Sequence, residues 1–110
     1  MAKQAGGPAG GSTTMLVLAL LKEKEMYGYQ IIEELEQRSN NVFQMKEGTL
    51  YPILHTLEKE NLVTAQDRSA ANGRTRRYYC ITAQGLKALE EKKAEWNTYS
   101  SAVTAIVAGA

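Results

Sequence analysis

The sequence predicts a mainly helical α+β fold, in which three helices are followed by a β-hairpin and one long terminal helix. Three patterns indicate this order. Apolar residues recur three and four positions apart in residues 50–57, which is the spacing of one helix face. Residues 62–81 contain two β-branched and aromatic segments around Asn72-Gly73, a pair that favours a tight turn. From Ala83 onward, an apolar seam with coiled-coil-like spacing continues almost to the end of the chain.

Composition is that of one globular domain. The 110 residues include 44% hydrophobic and 23% charged residues, enough for a single modest core. The longest apolar run, residues 15–21, is far shorter than the roughly 20 residues of a membrane-spanning helix. It also lacks the small-residue cleavage site of a signal peptide. We therefore expect a cytoplasmic protein with no membrane partner.

The first two helices are predicted from their caps and apolar spacing. Residues 1–12 are rich in Gly and Ala without an apolar pattern, so we predict a disordered arm there. A helix is expected from Thr13, capped by Thr13 or Ser12, to about Lys24. A second is expected across residues 28–37, with glutamates on its outer face.

The third helix carries one apolar stripe and one polar face. Proline lacks an N–H and clashes with the carbonyl four residues earlier, so Pro52 is expected in the first turn. That places the start near Gly48 or Thr49, with Thr49 as the cap. The stripe consists of Leu50, Ile53, Leu54 and Leu57.

The hairpin is predicted from residues 62–68 and 74–81, and it concentrates the basic charge. The whole chain has a net charge of only +1 at pH 7. Residues 62–86, however, contain one acid, Asp67, against four arginines: Arg68, Arg74, Arg76 and Arg77. Such a local basic region is typical of a nucleic-acid-binding surface.

Alternation along the second strand predicts where its side chains point. Tyr78 and Tyr79 should face opposite sides, so one of them is expected in the core. Cys80 is expected to point inward as a small buried hydrophobic residue. Arg77 is expected on the other face, where it can pair with an acid of the same chain.

The terminal helix is predicted from Ala83 to about Ala108, with Thr82 as its cap. Its seam has more apolar surface than so small a domain can cover, so we expect a partner helix and a homodimer. Lys93 and Ser100 interrupt this seam. The expected dimer contacts are Leu86, Leu89, Trp96, Val103 and Val107.

Three helices followed by a basic hairpin make a winged helix-turn-helix, here predicted for residues 13–82, with residues 83–110 as a dimerisation helix. In this fold the third helix enters the major groove. The hairpin of residues 62–81, called the wing, contacts the DNA backbone. The candidate DNA contacts are therefore Lys46, Gly48, Thr49, Tyr51, Pro52, His55, Arg74, Thr75 and Arg76. Two other interpretations stay open: Tyr51 packing over Pro52 and its loop, and the wing as a solvated charged turn.

Four segments together resemble the PadR family of transcriptional regulators. They are YGYQI at residues 27–31, EGTLYPILHTLE at 47–58, GRTRRYY at 73–79 and TAQG at 82–85. The resemblance extends over about residues 14–100, and the single terminal helix is similar to that of the short subfamily. It implies a dimeric repressor that binds a palindromic operator in double-stranded DNA.

Trp96 has two interpretations: packing within the dimer, or the aromatic floor of a ligand site shared by two protomers. The resemblance to multidrug-responsive members of the short subfamily favours an aromatic small-molecule effector. Its site would consist of Trp96 with Met15, Leu18, Leu89 and Lys93. Nearby lysines, including Lys22, point to a neutral or anionic ligand. The competing hypotheses are an effector-independent repressor and a winged-helix module that binds proteins.

No constellation of residues points to catalysis. His55 is the only histidine and Cys80 the only cysteine, so neither a metal site nor a disulfide within the chain is expected. The sequence contains no nucleophile beside a base and no glycine-rich phosphate loop. We therefore expect a protein that is not an enzyme and needs no cofactor.

Overall fold

The computed structural model describes residues 8–109, and it confirms the winged helix-turn-helix with a long terminal helix. Residues 1–7 of the predicted disordered arm lie outside the described residues. The elements follow in the order α1 (Pro8–Glu23), β1 (Met26–Tyr27), α2 (Gly28–Arg38), α3 (Glu47–Lys59), β2 (Val63–Ser69), β3 (Thr75–Ile81) and α4 (Ala83–Val107).

Helix α1 begins at Pro8, earlier than the predicted Thr13, so residues 8–12 are helical. Proline suits the first position of a helix because its fixed φ is helical and its missing N–H would have no partner there. The composition of residues 1–12 concealed this start, because glycine and alanine carry no apolar pattern.

The sheet has three antiparallel strands in the order β1-β3-β2. The predicted hairpin is present, with Ser69 opposite Thr75 and Val63 opposite Ile81. Strand β1 was not predicted, because two residues are too few to show an alternating pattern. It pairs with β3 through Met26 opposite Tyr79, and so ties the start of α2 to the wing.

The hairpin turn differs in one detail from the prediction. Gly73 has a φ of +83°, as expected, but Asn72 does not have a positive φ. Instead, the Asn72 side-chain oxygen accepts a hydrogen bond from the Arg74 N–H at 3.0 Å. The N–H of Gly73 donates to the carbonyl of Ala70 at 2.9 Å and closes the turn.

Helix α3 begins at Glu47, one residue before the predicted Gly48, but the prediction that Thr49 caps it was wrong. Its cap is Lys46, whose carbonyl accepts hydrogen bonds from the N–H groups of Thr49 and Leu50, each at 3.0 Å. Pro52 therefore lies in the second turn. Its missing N–H leaves the carbonyl of Gly48 without a helical partner, and this is tolerated because Gly48 is exposed to water.

The core lies where α1, α2, α3 and the inner face of the sheet meet. Leu50, Leu54 and Leu57 of the α3 stripe are buried, as predicted, while Ile53 is half-buried. From α4, Leu89 joins this core. The remaining buried apolar side chains are Val17, Leu18, Leu20, Leu21, Met26, Ile31, Ile32, Leu35, Val63 and Tyr79.

Helix α4 begins as predicted, because the Thr82 hydroxyl accepts the N–H of Gly85 at 3.0 Å. Its first half packs against α1. Its second half carries apolar side chains that are exposed in the single chain: Tyr99, Val103, Ile106 and Val107. Among residues 8–109, no helix has both the length and the apolar content needed to cross a bilayer.

Candidate nucleic-acid interface

Tyr51 joins the two helices of the helix-turn-helix. A Cβ placed on Gly28, the first residue of α2, would lie 2.5 Å from the Tyr51 hydroxyl oxygen. Tyr51 therefore packs against the start of α2. Partial burial, together with the charge of Glu47, raises the pKa of Tyr51. The side chain remains 43% exposed, so the ring also contributes to the outer surface of α3.

The outer face of α3 is polar and open. The six side chains or backbone positions proposed there as DNA contacts are all exposed: Lys46, Gly48, Thr49, Tyr51, Pro52 and His55. Among the described residues, the side chains of Lys46, Thr49 and His55 form no hydrogen bond or ion pair. This face can therefore offer donors and acceptors to the edges of bases, together with a positive charge at the helix start.

Two of the four wing arginines are neutralised by acids. The guanidinium of Arg77 donates to Asp67 Oδ1 at 3.1 Å and to Glu58 Oε2 of α3 at 2.9 Å. That of Arg68 forms a bidentate pair with Glu25. The predicted pairing of Arg77 within the chain is thus present. These two cations hold the wing against the rest of the domain and contribute little net positive charge to the surface.

The other two wing arginines have no acidic partner in the part of the chain that the structure describes. Arg74 is exposed beside the turn, next to the exposed Thr75. Arg76 is half-exposed, and its guanidinium carbon lies 4.5 Å from the centroid of the Tyr27 ring. The uncompensated positive charge of the wing is therefore at Arg74 and Arg76, two of the three wing positions singled out in the sequence.

The outer face of the sheet corrects the prediction for Cys80. Tyr79 is the core tyrosine, at 4% exposure, so alternation places Tyr78 and Cys80 on the opposite face. The prediction that one of the two tyrosines is buried was right, and the inward orientation of Cys80 was wrong. Cys80 is half-buried, and its Sγ donates a hydrogen bond to Glu25 Oε1 at 3.2 Å.

Cys80 is expected to react slowly with an alkylating reagent. Burial, followed by the hydrogen bond and charge of Glu25, raises the pKa of the thiol, so less thiolate is present at about pH 8. Glu25→Gln removes that negative charge and should accelerate alkylation severalfold. The rate is measured against that of the urea-unfolded protein. Equal rates for native and unfolded protein would contradict this expectation.

A groove of about 590 Å³ lies between α1 and α4. It brings together four of the five residues proposed for the ligand site, Met15, Leu89, Lys93 and Trp96. Leu18, the fifth, does not line this groove, because its side chain points into the core and is 0% exposed. The wall of the groove is formed instead by side chains that include Leu16 and Ala19.

The proposed dimer contacts differ in how far they are available to a partner. Leu86 and Val103 are each 40% exposed and Val107 is 79% exposed, whereas Trp96 is half-buried. Leu89, at 1% exposure, is already packed within its own protomer, because it faces α1. The seam pattern did not single out Tyr99 and Ile106, which are also exposed on this half of α4.

The sequence alone did not identify Tyr27, Glu25 or Gly28 as parts of this surface. Tyr27 and Glu25 lie in the connection between α1 and α2, and their roles depend on the pairing of β1 with β3. The only local signal was the motif at residues 27–31. Within residues 8–109, no three His, Cys, Asp or Glu side chains cluster as they would to hold a metal ion.

Comparison with protein families decides the class of this protein. The model of the transcriptional regulator PadR-like family matches residues 17–91, which include the helix-turn-helix and the wing. The chain belongs to the PadR-like family. PadR-like proteins are DNA-binding transcriptional regulators and not enzymes, so the prediction of a DNA-binding regulator is confirmed at that level.

Individual relatives agree with this assignment. A protein of Lysinibacillus sphaericus called uncharacterized protein X is 41% identical over 86 residues, 78% of this chain and 79% of its own. The transcriptional regulator Rv3488 of Mycobacterium tuberculosis is 37% identical over 71 residues, 64% of this chain and 63% of its own.

Solved structures share the fold. A transcriptional regulator from Clostridium thermocellum superposes with a TM-score of 0.80 at 29% identity, covering 86% of this chain and 91% of its own. Bacillus subtilis PadR, solved in complex with operator DNA, superposes with a TM-score of 0.67 at 22% identity, over 73% of this chain and 45% of its own.

Proposed function

We propose that this PadR-like protein is a repressor that binds a palindromic operator as a homodimer and is released by an aromatic effector. The observation that carries the DNA-binding part is the position of Arg74 and Arg76. Both are on the wing and lack an acidic partner in the described part of the chain. Cations placed in this way attract phosphates, whereas the paired Arg68 and Arg77 do not.

The proposed docking divides the contacts between the two elements. Helix α3 enters the major groove, where Thr49, Tyr51 and His55 face the base edges. Lys46 and the N–H groups at the start of α3 meet a backbone phosphate. Arg74 and Arg76 contact the backbone or the minor groove beside it. Bacillus subtilis PadR, which shares the fold, was solved in complex with operator DNA, and this supports operator binding.

The homodimer is supported by the exposed apolar side chains on the second half of α4. Val103, Ile106 and Val107 are 40%, 80% and 79% exposed in the single chain, and neighbouring exposed apolar side chains of this kind are typical of an interaction surface. Pairing two such helices around a two-fold axis buries these side chains. It also presents two α3 helices to successive major grooves, about 34 Å apart along the DNA.

The effector is supported by the groove between α1 and α4. Trp96 gives the groove an aromatic wall, and its ring is supported from behind the lining by Tyr99, with ring centroids 5.9 Å apart. Lys22 and Lys93 share one acid, Glu90. The acid in the groove lining, Glu23, is paired with Arg38. The positive charge that remains favours a neutral or anionic aromatic ligand. Such a ligand releases DNA only if it has a higher affinity for the dimer arrangement that cannot contact DNA than for the arrangement that can.

Fluorescence anisotropy tests the DNA-binding proposal. The purified protein is titrated onto labelled duplex from upstream of its own gene and onto a scrambled duplex, at about 50 and 200 mM salt. We expect tight binding that prefers the upstream duplex and weakens with salt. Equal, weak binding to both duplexes would contradict an operator at this position. No binding at low salt would contradict the DNA-binding role and favour a module that binds proteins.

The fluorescence of Trp96, the only tryptophan, tests the effector. We expect anionic and neutral aromatic compounds to quench it at saturable concentrations and to lower DNA affinity. Quenching by cationic compounds alone would contradict the proposed ligand class. Absence of quenching by any of them would favour a repressor without an effector. The double variant Trp96→Phe/Tyr99→Trp is the control for direct contact between the ligand and Trp96. It removes Trp96 and keeps one tryptophan as the fluorescent reporter.

A further inference from the structure

Four side chains form a continuous stack on the outer face of the wing. The guanidinium of Arg76 lies over the Tyr27 ring, 4.5 Å from its centroid. The Tyr27 and Tyr78 rings meet edge to face, with centroids 5.4 Å apart and planes at 70°. On Tyr78 lies the guanidinium of Arg68, 4.8 Å from the ring centroid, and Glu25 holds this second arginine in place. The stack thus leads from an anchored arginine at one end to Arg76 at the other.

An aromatic partner affects an arginine differently from an acidic one. A carboxylate uses N–H donors of the guanidinium and cancels its charge, as Glu58 and Asp67 do for Arg77. A ring below the guanidinium plane fixes its orientation while leaving the charge and the in-plane N–H donors free. Arg68 and Arg77 have acidic partners, whereas the partner of Arg76 among the described residues is a ring. The charge of Arg76 therefore stays available to a phosphate.

The position of the stack relates it to the recognition helix. Tyr27 precedes Gly28, and Tyr51 of α3 packs against Gly28. The residue whose ring holds Arg76 is therefore the direct neighbour, along the chain, of the contact between α2 and α3. The pairing of Tyr27 with Tyr78 in the sheet fixes this relation, because β1 leads directly into α2.

We propose that Tyr27 is a positioning residue that holds the Arg76 guanidinium in place for a DNA phosphate. This inference rests on the proposed contact between the wing and DNA. An arginine that is already oriented loses less conformational freedom on binding, so part of the cost of the contact is removed before DNA arrives. Without the ring, Arg76 still reaches the phosphate but has to be ordered during binding.

Loss of the ring has a specific signature in the dependence on salt. A stacked pair at an exposed site favours the oriented arginine by about two- to fivefold. A dimer has two such pairs, so Tyr27→Leu should weaken DNA binding by about tenfold. The slope of log affinity against log salt should stay unchanged, because the number of phosphate contacts is the same. Arg76→Ala removes the contacts and should lower that slope by about one per protomer. Tyr27→Phe keeps the ring and should bind within about twofold of wild type.

The test combines Tyr27→Leu, Tyr27→Phe and Arg76→Ala with the double variant Tyr27→Leu/Arg76→Ala. Anisotropy is measured on the upstream duplex and on a mixed-sequence duplex of about 30 base pairs over a range of salt. Circular dichroism and thermal unfolding report whether each variant folds. We expect Tyr27→Leu to weaken binding in the wild-type background and to have no further effect when Arg76 is alanine.

The outcomes separate this inference from the proposed function. If wild type fails to bind either duplex, the wing contact itself is refuted. If wild type binds and Arg76→Ala changes nothing, or Tyr27→Leu weakens binding equally in both backgrounds, DNA binding stands and the positioning role of Tyr27 is refuted. A failure of Tyr27→Phe to restore affinity would also overturn it, since the ring is then not the group that acts.

Discussion

Gly85→Ala is expected to lower the free energy of unfolding by about 3 kcal/mol. Gly85 is buried in the first turn of α4, and a Cβ there would overlap the backbone carbonyl oxygen of Leu62 and lie 2.6 Å from Cγ1 of Ile81. The Leu62 carbonyl cannot move freely, because it accepts the N–H of Thr82 at 3.0 Å. The methyl group therefore fits only if α4 separates from the connection between α3 and β2. Urea unfolding at one fixed protein concentration measures the change.

Gly48→Ala is the matched control for this substitution. Gly48 also lies in the first turn of a helix, but a Cβ there meets no atom within 4 Å. Alanine has the higher helix propensity, so the free energy of unfolding should rise by about 0 to 1 kcal/mol. If both variants changed stability equally, helix propensity would explain the result and the contact with Leu62 would not.

The parts of the fold that could be predicted are those with local causes. The stripe of Leu50, Leu54 and Leu57 follows directly from helical periodicity, and the Thr82 hydroxyl caps α4 as its residue type suggests. The turn at Gly73 needs a positive φ that glycine adopts without strain. In each case the residues that determine the structure lie within a few positions of one another.

The parts that could not be predicted depend on contacts between distant segments. Cys80 faces outward because its neighbour Tyr79 points inward. The sequence did not say whether Tyr78 or Tyr79 would take the inward position. The stacking of Arg76 on Tyr27 joins residues far apart in the chain, and it exists only because β1 pairs with β3. Leu18 matches the apolar pattern of α1 on more than one face, so periodicity alone did not distinguish the core from the groove.

Arg74→Ala/Arg76→Ala is expected to weaken binding to the upstream duplex by about a hundredfold or more at roughly 0.1 M salt. A dimer loses four positive charges that have no acidic partner among the described residues. Each lost phosphate contact lowers the slope of log affinity against log salt by about one, so that slope should fall by about 3 to 4. Anisotropy titrations over a series of salt concentrations measure both quantities.

Lys87→Ala/Lys92→Ala removes the same charge from each protomer on α4, away from the wing, and separates local contact from net charge. If the wing arginines act through phosphates that they touch, this control should leave the salt slope within about one of wild type. If they act only through the overall field of the protein, both double variants should weaken binding alike. The wing makes this comparison informative. Its other two arginines, Arg68 and Arg77, are neutralised by acids, so the free positive charge of the wing belongs to the pair that is replaced. Equal loss in both variants would thus refute the assignment of Arg74 and Arg76 as DNA contacts.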